Sequence, residues 1–224
     1  MSLVMVISAC STEQSSTESE LIIYTSIYPI QYFTERIGGE HVTAQSIYPP
    51  GVDAHTYEPT AKTMAEIAKG DAFIYLGAGF EGFAQSAAEA LASSNVQLAE
   101  MGKHEELFAE VDQESHSGHE DEDEHSHEED QNKDEHDHSH NHSNKDPHVW
   151  LDPLRAQLMA KHIKEELVNL APEHKAQFEE NLQSLTEDLE TLHENFKEVT
   201  QTADQNKLLV SHAAYGYWEQ RYWI

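Results

Sequence analysis

Short hydrophobic runs alternate with amphipathic stretches over the first half of the chain. Four of these runs predict strands, at residues 21–27, 42–48, 72–76 and 96–99, because they are apolar and rich in β-branched or aromatic residues. The apolar spacing between them predicts helices at residues 30–37, 60–69 and 80–93. Strands and helices that alternate with short connections indicate an α/β fold, a doubly wound parallel sheet with helices on both faces.

Long helices dominate the pattern later in the chain. Asp152 and Pro153 have the features of an N-cap and a first helical residue, and they predict a helix that runs to about residue 170. A second helix is predicted over 172–200, with a length of roughly 40 Å at 1.5 Å per residue, which suits a backbone between two lobes. Residues 207–210 predict a fifth strand. This strand either begins a second α/β lobe that is only begun in this chain or adds to the first sheet.

The charge of the chain is strongly acidic and unevenly distributed. The formal net charge is −29, and residues 112–146 contain fourteen acidic residues and only two lysines. Such a surface repels nucleic acid and anionic lipid and attracts cations, so we expect no nucleic-acid partner. The segment 112–145 has few apolar residues and no periodicity, which predicts that it is disordered or mobile.

The N-terminal residues suggest a lipid anchor. A short apolar run ends in Ile7-Ser8-Ala9-Cys10 and is similar to a bacterial lipobox, in which the cysteine is lipidated after cleavage. The alternative is an unrelated apolar N-terminus. Residues 11–20 form a polar tether, and no stretch is long enough to span a bilayer. We therefore expect an extracytoplasmic monomer that is held to the outer face of a bacterial cell membrane by lipid at Cys10.

Three histidines stand apart from the others by their local context. His55 follows the second predicted strand in a loop rich in Pro and Gly, His148 precedes the proline-capped helix, and His212 follows the predicted fifth strand. Open α/β sheets bind ligands at the carboxyl ends of their strands, and imidazole is a good zinc ligand. However, a lone loop histidine is usually a surface residue, and the spacing matches no compact metal motif. The residues alone leave both interpretations open.

The sequence around each of these histidines resembles one family. Residues 48–60 (YPPGVDAHTYEPT), 146–153 (DPHVWLDP) and 211–217 (SHAAYGY) are similar to the three ligand segments of the metal-binding subunits of bacterial zinc and manganese ABC importers. The resemblance covers nearly everything after residue 20 and points to the zinc-binding, ZnuA-type branch, because the manganese branch has glutamate where this chain has His212. It implies two α/β lobes joined by a long helix, with the metal between them.

The resemblance also separates the histidines into groups. His55, His148 and His212 would hold Zn²⁺, with water or an unidentified carboxylate as the fourth ligand. We interpret the eight histidines of the acidic segment as a flexible metal-collecting group, the alternative being an acidic solubilising spacer: His116, His119, His125, His127, His136, His138, His140 and His142. The five remaining histidines are predicted to be surface residues: His41, His104, His162, His174 and His193.

The function that this resemblance implies is binding, without catalysis. We expect a high-affinity protein that captures Zn²⁺ outside the cytoplasm and delivers it to an ABC permease. Affinity should fall as the pH drops through about 6.5, because only neutral imidazole binds metal. The alternatives are a zinc-dependent hydrolase, for which neither Asp53 nor Glu58 is marked as a base, and a surface adhesin or metal buffer that uses the same site.

The expected organisation of the chain follows from these segments. Residues 1–20 are a signal remnant with lipobox and tether, 21–111 an N-terminal α/β lobe, and 112–145 the metal-collecting loop. Residues 146–205 hold the second ligand segment and the long helix, and 206–224 are the start of a truncated C-terminal lobe.

Overall fold

The protein is described by a computed structural model that covers residues 20–109, 145–205 and 207–224. The strands in this part of the chain are Leu21–Thr25 (β1), Val42–Ser46 (β2), Ala72–Tyr75 (β3) and Gln97–Glu100 (β4). The α-helices are Tyr28–Gly38 (α1), Ala61–Ile67 (α2), Ala84–Leu91 (α3), Pro153–Leu170 (α4), Lys175–Thr202 (α5) and Gly216–Tyr222 (α6). The predictions for Cys10 and the eight histidines of the acidic segment lie outside the described residues.

The four strands form one parallel sheet in the order β2-β1-β3-β4. Successive connections run outward in opposite directions from β1 and β3, as in a doubly wound sheet. Ile23 and Ile74 face a core shared with α1, α4 and α5, whereas Phe73 and Tyr75 face a second core with α2 and α3. The α/β class and the placement of helices on both faces are therefore confirmed.

The two long helices pack against the same face of the sheet. Asp152 is the N-cap of α4, and its Oδ1 accepts a hydrogen bond from the backbone N–H of Leu154 at 2.9 Å, as the sequence predicts. Helix α5 has 28 residues and is therefore about 42 Å long at 1.5 Å per residue. Its apolar stripe, which includes the buried Phe178 and Leu185, lies against α1 and α4. None of the helices in the three described ranges is long and apolar enough to cross a membrane.

The predicted fifth strand is wrong. Residues 207–210 have no regular secondary structure, and the side chain of Leu209 is fully exposed. A short apolar run is not sufficient for a strand, since a strand needs a neighbouring backbone to pair with. The final residues do not extend the described sheet either. They form α6, which packs against α5 and the 3-10 turn at Val149–Leu151.

Helix α3 begins four residues later than the predicted residue 80. The preceding turn contains three consecutive residues with positive φ, namely Gly77, Ala78 and Gly79. The buried carboxylate of Glu81 accepts hydrogen bonds from the backbone N–H groups of Leu76 (3.0 Å) and Gly77 (2.7 Å). Residues 80–83, which the apolar pattern assigns to the first turn of the helix, therefore belong to the connection before α3. This connection places Phe80 at the end of the sheet that carries the site.

Candidate metal centre

The structure brings His55, His148 and His212 together from three distant parts of the chain. One potential ligand atom from each lies within 4.8 Å of the others. The Nε2 atoms of His148 and His212 are 3.2 Å apart. Two nitrogens bound to one tetrahedral zinc ion at 2.0–2.1 Å would be separated by about 3.3 Å. The arrangement can therefore place three imidazole nitrogens around a single ion.

His148 is the buried member of the group, with 7% of its surface exposed. Its Nδ1 lies 2.7 Å from Oδ1 of Asp146, and the same oxygen accepts the backbone N–H of His148 at 3.0 Å. A carboxylate on Nδ1 favours the tautomer that carries its proton there, so that Nε2 presents a lone pair to the other two histidines. The ring of His148 is thus oriented for ligation before any ion arrives.

His55 lies in the loop that follows β2. The carboxylate of Asp53 accepts the backbone N–H of His55 at 2.8 Å, and the hydroxyl of Tyr48 donates to the carbonyl of Ala54 at 3.0 Å. The His55 ring packs on Phe80, with 4.6 Å between ring centroids. Phe80 also contacts Trp150 and His148 edge-on. An aromatic wall therefore supports two of the three histidines from the sheet side, while His55 itself remains exposed.

The position of His212 depends on helix α6. Three side chains of this helix bind the segment that carries His148. Tyr217 donates to the carbonyl of Asp146 at 2.6 Å, Trp218 Nε1 donates to the carbonyl of Leu151 at 2.7 Å, and Arg221 Nε donates to Oδ2 of Asp152 at 2.6 Å. We call these three bonds the α6 clamp. His212 lies in the loop just before α6, so the clamp fixes it opposite His148.

The buried guanidinium of Arg155 on α4 packs against the α6 clamp. The guanidinium of Arg155 lies 4.0 Å from the centroid of the Tyr217 ring and donates to the carbonyls of Leu107 and Ala109. Burial raises the pKa of the Tyr217 hydroxyl to about 12, although the nearby Arg155 acts in the opposite direction. Burial lowers the pKa of Arg155. The Tyr217 hydroxyl therefore stays protonated and remains a donor to Asp146 at neutral pH.

Sequence reasoning missed several residues that build this site. The apolar pattern predicts a helix over Phe80 and Glu81, and it gives Asp146 no role beyond its place in the second ligand segment. Asp146 had a readable signal, since an acidic residue two positions before a candidate ligand can reach its ring. The sequence carries no such signal for the roles of Phe80 and the α6 clamp, because these contacts join segments that are far apart in the sequence.

The other histidines differ from the prediction in one case. His41, His104, His174 and His193 are partly exposed, but His162 was predicted at the surface and is buried, with 7% exposure. The prediction was wrong because polar sequence neighbours do not report on tertiary packing. His162 lies on the side of α4 that faces the turn at Glu105–Leu107, and its Nε2 is 2.8 Å from Glu106.

The sequence of the chain matches a known family over most of its length. Residues 23–224 fit the family described as ZnuA, "Zinc-uptake complex component A periplasmic", and the chain belongs to this family.

Individual relatives agree with this membership. The "Zinc-binding lipoprotein AdcA" of Streptococcus pneumoniae is 30% identical over 218 residues, which are 93% of this chain and 38% of the relative. The "High-affinity zinc uptake system protein ZnuA" of Bacillus subtilis is 29% identical over 223 residues, which are 97% of this chain and 65% of the relative. The crystal structure of Zn(II)-bound AdcA from Streptococcus pneumoniae superposes with a TM-score of 0.71 at 26% identity, covering 91% of this chain and 38% of that one. The chain thus spans between about two fifths and two thirds of the length of these relatives.

Proposed function

We propose that this protein captures Zn²⁺ outside the cytoplasm at His55, His148 and His212 and delivers it to an ABC permease. The observation that carries this proposal is the convergence of three imidazole nitrogens around one point, with His148 oriented by Asp146. Family membership supports zinc as the cargo, since two relatives are named for zinc binding and zinc uptake. Water or a carboxylate would supply the fourth ligand.

The proposed mechanism is reversible binding by neutral ligands. Three neutral imidazoles leave the bound ion with its full charge, and the acidic surface of the chain would attract the incoming cation. Two of the three histidines are exposed, so the ion can enter and leave from the solvent side. Neutral nitrogen ligands in a four-coordinate site favour Zn²⁺ over Mn²⁺, which prefers more oxygen ligands.

The contacts of the neighbouring carboxylates support binding in preference to hydrolysis. A zinc hydrolase needs a general base within hydrogen-bond reach of the metal-bound water. Asp146 is occupied by the ring and backbone of His148, and Asp53 accepts the backbone N–H of His55. Both carboxylates thus hold ligand-bearing segments in place. This arrangement serves a binding protein that performs no reaction.

Location and anchoring belong to the same proposal. The lipobox-like run that ends at Cys10 and the word "lipoprotein" in the name of the Streptococcus pneumoniae relative support an anchor at the outer face of the membrane. Membrane fractionation of cells that express the Cys10→Ser variant tests it. The variant should leave the membrane fraction, and its retention there would contradict lipidation at this residue.

Metal selectivity provides the direct test of the cargo. In a calorimetric competition, the wild-type protein should bind Zn²⁺ more tightly than Mn²⁺, and His212→Glu should narrow that difference because it replaces a nitrogen ligand with a carboxylate. The matched control is His41→Glu, a partly exposed histidine just before β2 that lies outside the three-histidine group. Equal affinity of the wild type for the two ions would overturn the assignment of zinc.

A further inference from the structure

A second group of potential ligands lies between helix α4 and the turn at Glu105–Leu107. One ligand atom each of His104, Glu106 and His162 lies within 4.8 Å of the others. His162 is in the middle of α4, and the other two residues belong to the pair of 3-10 turns that follows β4. The group shares no residue with the three-histidine group, and the proposed zinc capture does not use it.

The ring of His162 has an unusual environment for a buried histidine. Its Nε2 lies 2.8 Å from Oε1 of Glu106, whereas its Nδ1 is buried without a hydrogen bond, 3.4 Å from Oε2 of Glu165. A neutral imidazole has a single N–H, so the tautomer that donates to Glu106 leaves Nδ1 as an unpaired acceptor that faces a carboxylate. A buried polar atom without a partner costs stability and calls for an explanation.

A metal ion at Nε2 would give this ring a satisfied arrangement. The proton would move to Nδ1 and point toward Glu165, while Nε2 and the carboxylate of Glu106 would bind the ion. Metal-ligating histidines commonly donate their second N–H to a carboxylate in this way. The Asp146–His148 pair in the three-histidine group has the same plan, with a carboxylate beside Nδ1 and with Nε2 turned toward the other histidines.

His104 supplies the third ligand position. Its ring stacks on that of His162, with 3.5 Å between centroids and 15° between planes. Two histidines and one glutamate are an established zinc ligand set, with water in the fourth position. The Glu106 side chain is half exposed, so an ion can reach the group from solvent. Ligation would require the partly exposed His104 ring to turn out of the stack.

The surrounding backbone holds these ligands in place. Arg155 on α4 donates to the carbonyls of Leu107 (2.6 Å) and Ala109 (2.7 Å), which secures the turn against the helix. Lys145 forms an ion pair with Glu105 next to the same turn. The ligands thus come from elements whose relative positions are fixed without an ion, and binding would not have to order the chain.

We propose that His104, Glu106 and His162 form a second site for a divalent transition-metal cation, with Glu165 as the positioning residue for His162. Nitrogen and oxygen ligands of this kind suit a cation of the Zn²⁺ class. The competing explanation is purely structural, in which the Glu106–His162 pair only fastens the turn to α4. The two explanations differ in whether zinc changes the protonation of the His162 ring.

The first test locates the ion. Crystals of the full chain grown with an excess of Zn²⁺ should give an anomalous difference peak at the zinc edge within bonding distance of Glu106 and His162. The stacked pair His41 and His174, 3.7 Å apart at 13°, is an internal control because it completes no group of three ligands in the described residues. A peak between His55, His148 and His212 without one at Glu106 would overturn this proposal and leave the proposed function intact.

The second test is made in solution and separates ligation from structure. Long-range ¹H–¹⁵N spectra of the histidine rings should show the His162 proton shifting to Nδ1 as zinc is added. Glu106→Gln retains a hydrogen-bond acceptor for His162 but removes the anionic ligand. The zinc concentration at which the shift of the His162 ring resonances is half complete should therefore rise at least tenfold. Unchanged His162 ring resonances at saturating zinc, or equal half-saturation in the variant and the wild type, would overturn the proposal.

Discussion

The two histidine groups share a local plan but are built from different parts of the fold. In each, a carboxylate lies beside Nδ1 of a buried histidine, with Asp146 at 2.7 Å from His148 and Glu165 at 3.4 Å from His162. The first group collects its histidines from three separate loops. The second joins the middle of one long helix to a single turn.

This difference explains why only one group can be found in the sequence. Asp146 lies two residues before His148, so the carboxylate and its histidine form one readable motif. Glu106 and His162 are 56 residues apart and meet only because α4 packs beside the turn after β4. The difference in construction also suggests that the two groups differ in how readily they release an ion. Ligands on loops can separate and release an ion, whereas the second group joins a helix to a fastened turn, and only the His104 ring would have to turn.

Removing His148 should produce the largest effect and separates the two groups. His148→Ala takes away the preoriented ligand, so we expect the tightest zinc affinity to fall more than tenfold in competition with a chelator of known affinity. His162→Ala is the matched control, since it removes a histidine of equal exposure from the second group. An unchanged dissociation constant in His148→Ala, or an equal loss in His162→Ala, would remove the basis for the distinction.

The carboxylate behind His148 should have the next largest effect. Asp146→Asn keeps the size of the side chain but weakens the bond to Nδ1, so zinc affinity should fall by about tenfold, the lower end of the effect of such orienting groups. Asp53→Asn is the control, because Asp53 binds the backbone N–H of His55 and not its ring. Equal losses in the two variants would show that loop geometry matters and that orientation of the ring does not.

The α6 clamp should matter less for affinity than for stability. Tyr217→Phe removes a buried hydrogen bond to the carbonyl of Asp146, which should lower the free energy of unfolding by about 1 kcal/mol in urea titrations. Zinc affinity should fall by less than in Asp146→Asn. Tyr215→Phe is the control, since its ring contacts Trp218 edge-on and its hydroxyl makes no hydrogen bond within the described ranges. A larger loss of stability in Tyr215→Phe would contradict this role of Tyr217.

Deleting residues 114–143 should have the smallest effect on the tight site. The segment lacks the apolar residues needed for a core, and its eight histidines have no predicted orienting partners. We expect fewer zinc ions bound per chain in calorimetry, with the tightest dissociation constant changed by less than about threefold, or below 1 kcal/mol. Loss of the tightest site on deletion would mean that histidines of this segment are primary ligands.

The sequence was sufficient for the framework of the fold. Uninterrupted apolar runs such as 72–75 are buried on both faces and show that a parallel sheet is present, and the Asp152-Pro153 pair marks the start of α4. The late start of α3 could not be predicted, because it depends on Glu81 folding back to the backbone of Leu76 and Gly77. The false strand at 207–210 has a related cause, since local apolar character does not reveal whether a partner strand exists.

The α6 clamp also makes metal occupancy and the docking of a helix two sides of one equilibrium. His212 faces His148 only while α6 holds the 146–152 segment. At a free ion concentration of 100 times the dissociation constant, metal binding would stabilise the docked helix by up to about 2.7 kcal/mol. By reciprocity, a partner that bound α6 and pulled it away would lower the affinity for metal, and metal would lower the affinity for that partner by the same factor. Amide hydrogen exchange of residues 216–222 should therefore slow when zinc binds. Zinc binding that leaves exchange there unchanged would show that α6 and the site are independent.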